Sequence, residues 1–326
     1  MRPRRLGEFG RIREFFAPLA GRGALGLTDD AALLDCPPGC QLVVTVDQAV
    51  EGVHYLAEDR PDLVAKKLLR RNLSDLAAMG ATPHSYLVTT ALPATRGDDW
   101  VERFAKGLAE DQHRYGIALL GGDSTSTPGP ASLTLTAIGH VPTGREIRRS
   151  GAQPGDRIWV SGTIGDAFIG LKLLRGEVRR LPNEHRASLA ARFRLPEPRT
   201  ELGPRLAGIA HAMIDVSDGL LADLAHICKT SGVAATVELA RVPLSPAARA
   251  AVMADPPLHP LLATGGDDYE LVFAAAPEAD GEITGLSQSL GLPIAKIGLV
   301  EAGAGVRLIG DLGREIALER AGWRHF

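Results

Sequence analysis

Short runs of β-branched and aliphatic residues alternate along the chain with longer segments whose apolar positions recur at helical spacing, the pattern of mixed α/β domains. Gln41–Val46 (QLVVTV) predicts a buried strand, and Pro61 to Met79 a helix that Gly80 ends and Pro83 keeps from resuming. Tyr86–Ala91, Ile117–Leu120 and Leu133–Gly139 predict further strands, with a helix over Asp98–Tyr115. These elements make one unit of about 140–150 residues. A turn-rich stretch, Arg149 to Asp156, follows, then a strand from Arg157 and a helix after Gly165, which places a domain boundary near residue 150. The expected domains are therefore 1–149 and 150–326. The second carries a helix within Gly219–Thr230 and strands at Ala235–Leu239, Glu270–Ala274, Ile294–Val300 and Val306–Ile309. The Pro- and Arg-rich Pro182–Pro204 reads as a helix flanked by irregular connections. No repeat or low-complexity tract interrupts the pattern.

Composition agrees with two domains: 326 residues, 45% apolar and 23% charged, are enough for a substantial core without disulfide or metal staples. Thirty-six Lys+Arg against 39 Asp+Glu give a formal charge of −3, so neither nucleic acid nor an anionic membrane is an expected partner, and any phosphate binding is local. Cys36, Cys40 and Cys228 are an odd number in a long chain, which fits a reducing compartment. Cys36 and Cys40 bracket Pro-Pro-Gly without a second pair at zinc-finger spacing. The basic start lacks the apolar core of a signal peptide and no later run suits a membrane span, so a cytoplasmic protein is expected.

Two phosphate signatures fail. Gly21-Arg-Gly23-Ala-Leu-Gly26 has dinucleotide-loop spacing but follows the helix-like Ile12–Ala20 rather than a strand, and no G-x-x-x-x-G-K-[ST] occurs. Aspartates offer another route. Asp29-Asp30 sit in a turn, Asp47 follows the strand VVTV, Asp75 lies in the Pro61–Met79 helix, Gly121-Gly122-Asp123 follows IALL, and Asp215 and Asp218 close AMIDV. Carboxylates at strand ends point into the crevice where open α/β sheets place ligands, and converging carboxylates repel unless cations bridge them. Oxygen-only ligation favours Mg²⁺ over Zn²⁺, and Mg²⁺ suggests substrate phosphates in its remaining positions.

Each residue also has a plainer role. Asp beside Gly is most often a turn former or helix cap, which suffices for Asp29, Asp156, Asp166 and Asp268. Asp75 and Asn72 differ, because they interrupt an apolar run (Leu68, Leu69, Leu73, Leu76, Met79) and a carboxylate near a core needs a partner. His54 suits either a turn or a phosphate contact. Ser161-Gly-Thr-Ile-Gly165-Asp166 has the form of an anion-binding turn, though tight strand-to-helix packing also explains its glycines. Arg148 and Arg149 are an exposed pair unless an anion faces them.

Taken in order, eight words resemble the thiamine-monophosphate kinase family, of the aminoimidazole ribonucleotide synthetase-like superfamily. They are Asp29-Asp30-Ala-Ala-Leu; Thr45-Val46-Asp47 with Val50-Glu-Gly-Val-His54-Tyr; Asn72-Leu-Ser-Asp75-Leu-Ala-Ala-Met-Gly-Ala; Gly121-Gly122-Asp123-Ser-Thr; Arg149-Ser-Gly-Ala-Gln-Pro-Gly-Asp156; Ile214-Asp215-Val-Ser217-Asp218-Gly-Leu; Gly265-Gly-Asp267-Asp-Tyr-Glu-Leu; and Gly-Trp323-Arg-His-Phe. The resemblance implies an α+β protein of two mixed α/β domains, with ATP and substrate in an inter-domain cleft and N-terminal domains paired in a homodimer. It implies the reaction of ATP with thiamine monophosphate to give ADP and thiamine diphosphate. By motif position, Asp30, Thr45, Val46, Asp47, Asp75, Asp123, Asp215 and Asp218 would hold several Mg²⁺ ions. Tyr115, Gly122, Asp123, Arg149 and Ser217 would contact ATP, and His54, Asp267 and Trp323 the thiamine phosphate.

The acceptor in such a reaction is a phosphate oxygen already largely ionised at neutral pH, so neither a general base nor a phosphoenzyme is expected. Three positions depart from the family pattern: Thr28 stands where Gly usually precedes the paired aspartates, Asp267 where Glu is usual, and Val46, often Thr, leaves only a backbone carbonyl as ligand. Other readings of the same carboxylates are a sibling enzyme with another small acceptor, a Mg²⁺-dependent phosphohydrolase, and a Ca²⁺-binding structural protein. The last would gather its ligands in one loop, whereas these run from Asp30 to Asp218.

Overall fold

A computed structural model describes residues 6–178, 181–310, 313–317 and 322. They divide into two compact units: one holds the residues up to Leu76 with Ala81–Gly144, the other Ala77–Gly80 with the described residues from Arg145 onward.

The first unit comprises α1 (Glu8–Arg11), β1 (Cys40–Val50), α2 (Pro61–Ala78), β2 (Thr82–Leu92), α3 (Asp98–Tyr115), β3 (Ala118–Ser126) and β4 (Ser132–Pro142). Its sheet has the order β1-β4-β2-β3, in which β2 and β3 are parallel and the other pairs antiparallel. The parallel pair is joined through α3, as parallel strands require a crossover. Proline opens α2, and Leu68, Leu69, Leu73 and Leu76 bury its apolar stripe. In α3, Asp98 and Asp99 at the start and His113 and Arg114 at the end complement the helix dipole, and Gly116 closes it at φ 64°. Gly107 permits a close approach, since a Cβ there would lie 2.3 Å from the Asp62 carbonyl oxygen.

One face of this sheet packs Tyr86, Val88, Leu133 and Leu135 against α2 and α3. On the other face Ala24, Leu27 and Leu34 cover Leu87, Leu120 and Ile138. The edge strand β1 is different: Leu42, Val44 and Val46 alternate outward and stay exposed, at 37%, 61% and 62%.

Two strands outrun their apolar patterns. Asp47 pairs with Leu135 and β1 continues to Val50, while Gly121 through Ser126 pair with Leu87 through Leu92. Asp47 and Asp123 therefore lie within strands rather than at strand ends, because ladder hydrogen bonds extend pairing through polar residues.

The second unit comprises β5 (Arg157–Ser161), α4 (Asp166–Leu174), α5 (Asn183–Arg194), β6 (Ala210–Asp215), α6 (Leu220–Ser231), β7 (Ala234–Glu238), α7 (Pro246–Ala254), α8 (Leu258–Leu262), β8 (Leu271–Ala275), α9 (Asp280–Leu290), β9 (Ile294–Glu301) and β10 (Gly305–Ile309). The sheet order is β10-β7-β9-β5-β8-β6, with only the β10–β7 pair parallel among these. One face packs Ile158 and Val160 against Leu220, Leu224 and Ile227 of α6, and the other packs Trp159 and Phe273 against Leu206 and Ile283. The helix expected within Pro182–Pro204 is α5. Helices α7 and α9 escaped the periodicity because one is alanine-rich and the other interrupted by Gly281 and Gly285. Among the described residues no helix is long and apolar enough to cross a membrane.

In the first unit Arg70 and Asp111 join α2 to α3 through a two-pronged ion pair (Nε–Oδ2 2.6 Å, Nη2–Oδ1 2.9 Å), with side chains 4% and 2% exposed. Replacing Arg70 by Met leaves the Asp111 charge buried and should destabilise the protein by about 3–5 kcal/mol, read from the urea-unfolding midpoint.

Candidate active site

The inner face of β1 presents Val43, Thr45 and Asp47 toward α2. Thr45 Oγ1 donates to Asp75 Oδ2 at 2.6 Å, which supplies a partner for the carboxylate that breaks the apolar stripe. Asn72, fully buried, donates its Nδ2 to the Leu68 carbonyl within its own helix, while its Oδ1 is buried with no hydrogen-bond partner among the described residues. Arg71 Nη2 lies 3.2 Å from Asp47 Oδ1 and Nη1 lies 3.4 Å from the Gln48 carbonyl oxygen. Val46 projects to the exposed outer face, leaving its backbone as the only donor of ligand oxygen.

The other candidates of this unit are more dispersed. Asp30 occupies an exposed bend. Asp123 Oδ1 accepts from the Ser124 amide at 2.9 Å. Ser124 Oγ is 3.1 Å from Thr90 Oγ1 on the helix-covered face, so strand alternation turns Asp123 to the face opposite Asp47 and Thr45. Gly122 has a structural duty, since a Cβ there would lie 1.8 Å from the Val88 carbonyl oxygen. His54 Nδ1 accepts from the Val50 amide at 3.1 Å, which puts the ring proton of the neutral form on Nε2. Tyr115, the last residue of α3, packs on the core with the Arg70 and Arg114 guanidiniums 5.6 and 5.2 Å from its ring centre. A cavity of about 440 Å³ opens at the carboxyl ends of β2 and β3, lined by Thr90, Ser124, Thr125, Ser126, Arg11 and Arg96 among others. The glycines at 21 and 23 permit close approaches: a Cβ at Gly21 would lie 2.7 Å from the Ala118 side chain, and one at Gly23 would lie 2.0 Å from the Leu33 carbonyl oxygen.

In the second unit two loops interlock. Asp215 is buried at the end of β6, and Ser217-Asp218-Gly219 leads into α6. The Asp267 and Tyr269 amides donate to the Ser217 and Val216 carbonyls, and the Val216 amide donates to the Glu270 carbonyl. A Cβ at Gly266 would lie 2.3 Å from the Ser217 carbonyl oxygen, so the approach demands glycine. Asp267 and Tyr269 both hold left-handed backbone (φ 71° and 52°), a strained conformation for non-glycine residues, and the Tyr269 hydroxyl donates to Asp267 Oδ1 at 3.2 Å.

Three buried carboxylates that the motif reading left without a role brace these loops. One oxygen of Asp223 accepts the amides of Ser217, Asp218 and Gly219, each at 3.0 Å. Burial pushes this carboxyl up to about 7 against the opposing effect of those amides. Asp268 accepts the Gly165 and Ala167 amides at 2.6 and 3.2 Å, and burial pushes it up to about 8. It thereby fills the start of α4, where the Ser161–Asp166 turn had the form of an anion site. Glu270, fully buried, accepts from Ser161 Oγ at 2.7 Å, from Arg192 Nη2 at 3.0 Å and from Arg199 Nε at 2.5 Å. The spacing of Asp223 within the first turn after Gly219 was the available sequence signal for its bracing role.

Arg149 is exposed, with its carbonyl held by Thr230 Oγ1 at 2.9 Å. Trp323 lies outside the described residues. Its neighbour Gly322 sits against the Asp218 loop, where a Cβ would be 2.8 Å from the Asp218 carbonyl oxygen. The donors named for a metal are all oxygen atoms, which suits a hard cation, and Asp47 already holds one positive group. Among the described residues no three His, Cys, Asp or Glu side chains form a metal-holding group.

Comparison with known proteins gives a consistent picture. The AIR synthase related protein N-terminal domain matches residues 28–141, and the corresponding C-terminal domain matches residues 153–311. The thiamine-monophosphate kinase of Caulobacter vibrioides is 44% identical over 324 residues, covering 98% of this chain and 90% of its own. That of Escherichia coli K12 is 38% identical, covering 98% of both. The crystal structure of the Stenotrophomonas maltophilia thiamine-monophosphate kinase superposes with a TM-score of 0.81 at 42% identity, over 89% of this chain and 91% of that one. A solved complex of AaThiL with AMPPCP and TMP gives 0.78 at 30% identity over the whole of both chains.

If Asp223 braces the Ser217–Gly219 loop, Asp223→Ala should raise amide hydrogen exchange at residues 217–219 by at least tenfold while the β8 amides stay protected, as mass spectrometry or NMR would read. Asp223→Asn, which keeps an acceptor oxygen, should show a smaller effect.

Proposed function

The chain belongs to the thiamine-monophosphate kinase family of AIR synthase related proteins, and we propose that it phosphorylates thiamine monophosphate by direct in-line transfer from ATP, assisted by several Mg²⁺ ions. The observation carrying this reading is the oxygen-donor group on β1 and α2, where Thr45 meets Asp75 beside Asp47 within the family's own motifs. The relative solved with AMPPCP and TMP supports the choice of nucleotide and acceptor.

We assign Asp30, Thr45, the Val46 carbonyl, Asp47, Asp75, Asp123, Asp215 and Asp218 to the metal ions. Bound Mg²⁺ supplies charge neutralisation to two phosphate-bearing reactants that otherwise repel. The remaining roles fall to the chain. Gly122, Asp123, Ser217 and the exposed Arg149 hold the nucleotide, with Tyr115 as a further contact, and a guanidinium suits phosphate through its fork of donors. His54 presents Nε2–H as a donor, and Asp267 and Trp323 complete the thiamine phosphate contacts. With Asp in place of the family's Glu, Asp267 lacks one methylene of reach, and its left-handed backbone sets the direction of the shorter side chain. No side chain is assigned as general base or nucleophile, because the accepting phosphate oxygen is already ionised.

Two further assignments accompany this reading. The free thiols of Cys36, Cys40 and Cys228 suit a reducing cytoplasm. The exposed row Leu42, Val44 and Val46 on the edge strand β1 suits burial in a homodimer through the N-terminal domain.

Incubation with ATP, Mg²⁺ and thiamine monophosphate should yield thiamine diphosphate by chromatography, with none from thiamine or without ATP; phosphate release without ATP would instead indicate a hydrolase. Asp75→Asn should lower kcat by about 100-fold or more with an unchanged circular dichroism spectrum, because it removes ligand charge while keeping shape. For the dimer, Val44→Asp should shift the mass measured by light scattering from dimer toward monomer, and an unchanged mass would remove β1 from the interface.

A further inference from the structure

We propose that Arg71 is a resident counter-cation for the carboxylate group on the inner face of β1 and that it sets the affinity of that group for divalent metal. The inference rests on the assignment of Asp47, Asp75 and Thr45 as metal ligands. Arg71 lies one helical turn before Asp75 on α2, with its side chain only 11% exposed. Its guanidinium bridges Asp47 Oδ1 at 3.2 Å and the Gln48 carbonyl at 3.4 Å, so it is fixed by two acceptors on the strand opposite. Asp75 accepts from the Thr45 hydroxyl, and Asp47 pairs with the Arg71 guanidinium.

The consequence is electrostatic. A divalent ion that coordinates Asp47 must displace the guanidinium or bind within a few ångströms of it, and either course opposes metal binding. Before metal arrives, the same guanidinium offsets the mutual repulsion of the carboxylates and steadies the β1–α2 contact. A polyphosphate bound together with the metal would bring anionic oxygens toward the Arg71 guanidinium. Metal delivered with a polyphosphate is therefore favoured over the bare ion, because the anion compensates both cations.

The test is a Mn²⁺ titration followed by electron paramagnetic resonance, with and without a non-hydrolysable ATP analogue, on the full-length protein and its Arg71→Gln, Arg71→Val and Arg71→Lys variants. Removing the charge should tighten binding of bare Mn²⁺ by roughly tenfold. Arg71→Lys should stay within about threefold of the parent, because the charge remains. The advantage of analogue-bound over bare metal should shrink in Arg71→Gln. Melting curves add a readout independent of turnover: without metal Arg71→Gln should melt below the parent, and Mg²⁺ should raise its Tm by more. Using both Gln and Val guards against one variant failing to fold. Unchanged or weaker Mn²⁺ affinity in a folded charge-removing variant overturns the role of Arg71. Absence of Mn²⁺ binding to the parent in either condition overturns the metal assignment itself, and this inference with it.

Discussion

A carboxylate taken out of water must be met by a cation or by hydrogen-bond donors, and the acidic residues of this chain are sorted by how that demand is met. Asp111 has Arg70, Glu270 has Arg192, Arg199 and Ser161, and Asp223 and Asp268 have backbone amides. These groups are enclosed and spend their charge on the fold. Asp30 and Asp123 remain at the surface, and Asp47 and Asp75 lie half-buried where β1 meets α2. Residues of the second kind keep contact with solvent, whereas the enclosed ones do not.

The two kinds are coupled through the backbone. Asp223 fixes the amides of the segment that carries Ser217 and Asp218, and Asp268 and Glu270 fix the segment that carries Asp267. Between them the Ser217 carbonyl receives the Asp267 amide, so neither loop can shift alone. The left-handed backbone at Asp267 and Tyr269 persists because such anchors surround it. Anchoring of this sort holds the two loops in one arrangement, and alignment of reacting groups depends on such rigidity.

Family likeness and geometry bear on different levels. The relatives at 38–44% identity establish the family and the enzyme class. A fold alone carries no function, which lies in the residues placed on the scaffold.

Local periodicity determined much of the secondary structure: α3 runs over the expected Asp98–Tyr115, and α2 ends one residue before the expected Met79. The order of motifs likewise pointed to the family, because short words can be read along the chain even where, as at Gly122 and Gly266, the reason for the glycine is a distant backbone. Strand ends were not legible, since ladder hydrogen bonds to distant β2 and β4 carry β3 and β1 through polar residues. Nor was the side of the sheet that Asp123 faces, which follows from register across strands. The pairing of Arg71 with Asp47, 24 residues apart in sequence, was decided only when tertiary packing set α2 against β1, removed water and left that charge to find a partner on the strand opposite.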